Sequence, residues 1–458
     1  MGAALQLWFA HRYYGFLTGD DVEVISEAFR VATGYNYRAW DIRCLFIPQW
    51  IVAPPIWIAS KLGVHDVKTL IEIATLPFIA AYVATIWLVH RLALRWSGNE
   101  TTAMVATLLY AFHWIPLAFG STVYPRTIAT LCIVAAAVLC HPEPFGSAQD
   151  RRRENGVGGT PPLRPGLSPS LGVTHFIAGL LVGVAFADRF SEIVFFIPLL
   201  LVARRRLALI AGAAVSIAIT VGVYDWFTWG APFSSFIKFA RLTIVQPDFA
   251  SRVKYQSPFW YFETLPRWCA FTLLPFIWRA RRDWRPLAFI VIPLVALSLI
   301  KHKEVRYLQG IIPFLAIAAA LGFTLLASRR VAVALLAVSL IWNTYELKTL
   351  GRKSMPAVDV ARTIAANPNM QLIVVSQIWA YGGWLYFGNR GLRDVETPPR
   401  DLEKQIVGAD AVALYESDLD QVWILDTLKR HGFVEWRDFH DDPAKAVVVF
   451  TPSDRSSR

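Results

Sequence analysis

Long apolar stretches recur from about residue 69 to residue 347, separated by short polar gaps. The clearest cover 69–90, 102–119, 127–140, 174–187, 190–203, 207–224, 286–300, 307–327 and 331–347, with a shorter one at 268–278. A helix needs about 20 apolar residues to cross a bilayer core. Several runs fall short, but large bundles tolerate broken or protein-buried spans. The pattern predicts about ten or eleven membrane helices. Gly2 to Ala10 is apolar but too short to span alone, so it is either part of a longer first helix or an interfacial start. Residues 44–62 hold Pro48, Pro54 and Pro55, which predicts an interfacial or re-entrant piece.

Two segments break the pattern. His141 to Gly172 is rich in Pro, Gly, Ser and Arg without apolar periodicity, and reads as a disordered insertion. After residue 350 charges become frequent, and short β-like runs appear at 372–375, 411–414 and 446–450. Helical patterns at 358–365 and 419–430 lie between them. Such alternation predicts a small α/β domain. The expected architecture is an all-α polytopic membrane part over residues 1–349, followed by an α/β domain over 350–458.

Composition agrees. Of the 458 residues, 55% are hydrophobic and 17% charged. Ordinary soluble domains carry about 25% charged residues, so a soluble multidomain enzyme and a disordered chain are both excluded. Four scattered cysteines show no metal-ligand spacing and read as buried thiols.

The net charge of +11 changes the picture once it is located. Arg91 and Arg95, Arg151 to Arg153, Arg204 to Arg206, Arg279 to Arg285, and Arg329 with Arg330 fall in alternate gaps. If each run crosses once, all five clusters lie on one face, which the positive-inside rule makes cytoplasmic. They then set topology, and no nucleic-acid partner is expected. Residues 13–66, 120–126, 188–189, 225–267, 301–306 and the tail fall on the other face.

That outer face collects the chemistry. Asp20 and Asp21 are adjacent carboxylates, with Glu23 and Glu27 beyond. One could act as a general base; equally, one could cap a helix. The group Lys301-His302-Lys303-Glu304-Val305-Arg306 places cations on the face where topology does not call for them. Arginine forks and lysine charges suit a phosphate. Asp188-Arg189 sits between two apolar runs as a site candidate or a mutual ion pair. The loop with Asp225, Tyr255, Trp260 and Tyr261 reads as an aromatic interfacial anchor or a stacking platform.

These residues resemble a known family. His302-Lys303-Glu304-Val305-Arg306-Tyr307 with Pro313 is similar to the His-Lys-Glu-x-Arg-Phe motif of glycosyltransferase family 22. Asp20-Asp21 with Glu27 resembles that family's Asp-Glu pair and later Glu, the second acid departing from the usual Glu. Trp40-Asp41-Ile42-Arg43 resembles its Trp-Glu with a nearby Arg, and Arg126 fits an outer-loop Arg. Tyr255 to Phe262 with Leu265-Pro266 resembles its aromatic segment, and Asp225 fits the preceding region, where Ser235 replaces an Asn. The resemblance covers about residues 13–327.

It implies the GT-C fold of polyprenyl- or dolichyl-phosphate-mannose-dependent α-mannosyltransferases, in a bacterial relative. The implied reaction inverts a sugar, expected to be mannose, as it moves from a polyprenyl-phosphate donor to a glycan or glycolipid hydroxyl. Asp20 would be the base, with Asp21 binding acceptor or substituting for it. His302, Lys303 and Arg306 would hold the donor phosphate. Glu27, Trp40, Arg43, Arg126, Asp188, Arg189, Asp225, Tyr255, Trp260, Tyr261 and Glu304 would line the substrate site. No metal and no cofactor is expected, because neither a metal cluster nor a Gly-rich nucleotide loop occurs. The partners are then the lipid-linked donor, the acceptor and membrane lipid. The site would face outward from a bacterial cytoplasmic membrane, or into the endoplasmic reticulum of a eukaryote. The rival readings are a transporter or flippase of a lipid-linked or anionic substrate, and an envelope-assembly scaffold.

Overall fold

A computed structural model describes residues 2–12, 17–141, 169–245, 256–325, 329–350, 355–376, 383–388, 390–395, 400–440 and 446–453. Helix α1 (Gly2–Arg12) packs on the long helix Val67–Ser97. Helix α2 (Gly19–Thr33) follows. It starts where Thr18 and Asp21 form a reciprocal capping box and ends at Gly34, whose φ of 76° suits a glycine. A π-helical turn at Pro48–Val52 then runs into the helix Ala53–Lys61. Together these are too short to cross a bilayer. Val52 and Ile56 face the protein, while Trp50 and Trp57 are exposed.

Among the described residues, five helices are long and apolar enough to span: Val67–Ser97, Leu171–Asp188, Arg206–Trp229, Val305–Phe323 and Arg330–Leu347. The helices Arg126–Cys140, Phe190–Val202 and Trp284–Leu299 are apolar but shorter. The expected ten or eleven spans are therefore not all of spanning length. Several apolar runs break into short helical pieces joined by 3-10 or π turns, as at Phe190–Phe195 and Ala218–Val223. The expected insertion over 141–172 falls largely outside the described residues, but its end is helical, because the helix reaching Asp188 already begins at Pro169.

The bundle is held by one apolar core. One close crossing is between Pro169–Asp188 and Arg206–Ile217. A Cβ at Gly179 would meet the Leu209 carbonyl oxygen at 2.1 Å, and one at Gly212 would meet that of Phe176 at 2.0 Å. Gly183 faces Ser216 one turn further on. Small residues four apart on both helices allow this approach.

Beyond Met355–Ala366 comes a five-stranded sheet: β1 (Leu372–Ser376), β2 (Gly391–Val395), β3 (Ala411–Tyr415), β4 (Phe433–Phe439) and β5 (Val447–Pro452). Its order is β2-β1-β3-β5-β4. The first three strands are parallel, and β5 pairs antiparallel with β3 and β4. Strands β1, β3 and β5 match the apolar runs read from the sequence. Strands β2 and β4 carry mixed side chains and left no such signal. Apolar clusters cover both faces of the sheet. Val358 and Leu385 belong to the main core, so this region packs on the bundle.

Candidate active site

The site starts with the register of α2. Asp20, Glu23, Val24 and Glu27 recur at helical spacing and share one face. That face lines a cavity of about 500 Å³. Residues after the helix, including Tyr37, Trp40 and Arg43, form an adjoining wall. The segments around Arg126, Asp188-Arg189 and His302 to Tyr307 complete it. Leu242, Leu297 and Ile300 add an apolar side.

Asp20 is the electrostatic centre. Its Oδ1 lies 2.8 Å from Arg43 and 2.5 Å from Arg189, and its Oδ2 lies 3.4 Å from Arg306. Burial alone would raise its pKa. The charges of Arg189, Arg306 and Arg43 overcome that and hold it well below the usual carboxylate range. Each arginine is fixed in turn. Arg43 donates from Nε to Glu23 at 2.7 Å and lies over the Trp40 ring. Arg306 pairs with Glu304, whose other oxygen lies 3.6 Å from His302. Arg306 also lies near the faces of Tyr124 and Tyr307. The Nε of Arg189 has no hydrogen-bond partner among the described residues.

Around this centre lies a supporting shell. Arg126 pairs with buried Glu192, donates to Ser191 at 2.9 Å and to the Tyr307 carbonyl at 3.2 Å, and stacks over the Tyr307 ring. Asp188 does not pair with Arg189 but accepts from the Ala129 amide at 2.9 Å. Glu27 takes a two-point bond from Arg30 and a third from Gln49 at 2.6 Å.

Several expected site residues lie elsewhere. Asp21 is fully buried and absent from the cavity wall. It accepts from the Leu17 and Thr18 amides and from the Thr122 hydroxyl. Of the two adjacent acids, one faces the cavity and the other caps the helix, because neighbours on a helix point about 100° apart. Lys303 is also buried away from the cavity, and its ammonium donates to the Gln256 carbonyl at 3.2 Å. Asp225 accepts from the Ser235 amide and hydroxyl, at 2.8 and 2.6 Å, and so caps a short helix. Tyr261 is buried with its hydroxyl 3.4 Å from the Glu304 carbonyl. It supports the cavity from behind, and neighbouring Trp260 does not line it either. Tyr255 lies outside the described residues.

Conversely, Glu192, Ser191, Tyr37 and Tyr124 belong to the site or its support without a sequence reading that assigned them to it, and Glu23 and Tyr307 join them, named in the sequence only beside Asp20 and within the 302–307 motif. For Glu23 a signal existed, since it falls on the same helical face as Asp20 and Glu27.

A family model described as the Alg9-like mannosyltransferase family matches residues 31–350. The chain belongs to this family. The matched span holds Arg43, Arg126, Arg189 and Arg306, while Asp20 precedes it. No curated protein sequence matches the chain significantly. Among solved structures, ArnT from Cupriavidus metallidurans in the apo state matches with a TM-score of 0.61 and 16% identity, over 98% of this chain and 97% of that one. The same protein bound to undecaprenyl phosphate gives 0.61 and 15%, over 98% and 96%. The archaeal oligosaccharyltransferase AglB from Archaeoglobus fulgidus, in complex with an inhibitory peptide and a dolichol-phosphate, gives 0.51 and 11%, over 98% and 73%. At these identities the likeness shows the shared GT-C fold. Family membership makes the protein a membrane glycosyltransferase and sets the transporter and scaffold readings aside.

Proposed function

We propose that the protein transfers a sugar, mannose in keeping with its family, from a polyprenyl-phosphate donor to a hydroxyl of a glycan or glycolipid. The observation that carries this is the convergence of Arg43, Arg189 and Arg306 on one cavity that also has an apolar side. Arginine forks match phosphate oxygens, and here they are pre-positioned by Glu23, Glu304 and aromatic faces. Leu242, Leu297 and Ile300 offer apolar surface to the first isoprenyl units. Trp40, Tyr37 and the carboxylates of Glu23 and Glu27 offer a stacking face and acceptors for sugar hydroxyls.

In the proposed step the acceptor oxygen attacks C1 of the donor sugar. The bond from C1 to the phosphate oxygen breaks, and that oxygen keeps the electron pair. Arg189 and Arg306 offset the charge growing on it. Asp20 takes the acceptor proton. A carboxylate held at low pKa is a weak base, which fits a transition state in which the glycosidic bond breaks ahead of proton transfer. Attack opposite the phosphate inverts C1. The positive-inside reading of the basic clusters supports a cavity that faces outward from a bacterial cytoplasmic membrane.

The decisive experiment gives the purified protein labelled polyprenyl-phosphate-mannose and a panel of glycolipid acceptors. Labelled product is expected, and Asp20→Asn should lose it by at least about a thousandfold while yield and melting profile remain those of a folded protein. Ordinary turnover in that variant would remove Asp20 from the chemistry. Movement of donor lipid between leaflets without transfer would favour a transporter instead.

A further inference from the structure

The three arginines that converge on the cavity are already occupied. Arg43 is matched by Asp20 and Glu23, Arg306 by Asp20 and Glu304, and Arg189 by Asp20. Asp20 thus presents its two oxygens to a set of guanidinium groups much as a phosphate would. The Arg189 Nε has no hydrogen-bond partner among the described residues. An incoming anion cannot simply be added to such a balanced, largely buried cluster, because an extra buried charge without a counter-charge is costly. One anion has to leave. Glu304 and Glu23 each hold an arginine through Nε, whereas Asp20 holds all its arginines through their outer nitrogens. Those outer nitrogens are the ones that a phosphate would take.

We propose that Asp20 occupies the donor-phosphate subsite in the resting enzyme, and that the donor phosphate displaces it from Arg189 and Arg306. This rests on the polyprenyl-phosphate donor proposed above. On displacement Asp20 keeps Arg43, which anchors it on the α2 side of the cavity. The phosphate takes the opposite pair of arginines, leaving the sugar between phosphate and carboxylate, as an inverting transfer requires. The base is then released only when donor is present, so donor binds before acceptor. Removing the carboxylate charge should abolish transfer and yet strengthen donor binding.

The test titrates full-length protein in detergent with undecaprenyl phosphate, and with undecaprenol as the uncharged control. Asp20→Asn should bind undecaprenyl phosphate at least about tenfold more tightly than wild type, with undecaprenol affinity unchanged. Adding Arg306→Gln to that variant should erase the gain. Wild-type or weaker affinity for undecaprenyl phosphate in Asp20→Asn overturns the displacement while leaving the donor assignment intact, provided wild type prefers undecaprenyl phosphate to undecaprenol. Absence of that preference in wild type overturns the donor assignment itself, and the displacement with it. Should Asp20→Asn not fold, a structure of wild type with undecaprenyl phosphate decides. Asp20 still within ion-pair distance of Arg306 refutes displacement, and phosphate in its place supports it.

Discussion

At the scale of single residues, the two adjacent acids do different work. Asp21 serves the start of α2, with two backbone amides and two hydroxyls around it. Burial, aided by the charge of Asp20, outweighs those bonds and pushes its pKa from 3.8 up to about 6. A carboxyl whose pKa is raised on folding binds its proton more tightly in the folded state. Its contribution to stability is therefore greatest at low pH and declines as pH rises from about 4 to about 6. The decline is on the order of 2–3 kcal/mol. Asp21→Asn keeps an oxygen for the cap but cannot ionise. Its melting temperature should cross from near that of wild type at pH 4 to above it at pH 7. A difference that does not change with pH would refute the assignment. Asp21→Ala loses the cap and should cost about 1–2 kcal/mol while retaining transfer. The cations of the 301–306 segment divide in the same way. Arg306→Ala should raise the donor KM and lower kcat. Lys303→Ala removes a bond to the Gln256 carbonyl and should instead lower yield and melting temperature, with donor KM in a steady-state assay little changed.

At the scale of elements, the site depends on one close helix crossing. Arg189 follows directly on the helix ending at Asp188, and that helix is set against Arg206–Ile217 by Gly179, Gly183, Gly212 and Ser216. Valine at Gly212 would drive side-chain atoms into the Phe176 carbonyl and force the helices apart. Gly212→Val should destabilise the protein by about 3 kcal/mol or more, read as a lower melting temperature, and reduce transfer in the surviving fraction by moving Arg189. Unchanged melting would mean that this crossing is not the one the protein uses. The spacing Gly179-x-x-x-Gly183 was present in the sequence, but such spacing has a partner only once two helices are known to meet. Helix α2 was more legible. Its carboxylates repeat on one face, and Thr18 with Asp21 gives a capping pattern visible from residue type and spacing.

For the molecule as a whole, the cavity and the basic clusters should lie on opposite sides of the membrane. All four native cysteines are buried, so single exposed cysteines can report sidedness against a low background. Lys301→Cys should react with an impermeant thiol reagent applied from outside. Arg281→Cys should react only after permeabilisation. The opposite pattern would invert the proposed topology.

The sequence by itself determined the membrane class, the family motifs and the composition of the charged cluster. Apolar run length, residue type and local spacing carry that information, and folding does not alter them. It also indicated three of the five strands, those whose apolar runs become buried between the two faces of the sheet. Only the tertiary structure decided which charges meet. Asp20 lies far in sequence from Arg189 and Arg306 and pairs with both, while neighbouring Asp21 and Lys303 turn into the protein. The reason is geometric. Neighbours along a helix or a tight loop point in different directions, and residues distant in sequence converge only through packing. Spacing can therefore nominate a charged residue, but packing decides whether it faces the cavity or supports its wall.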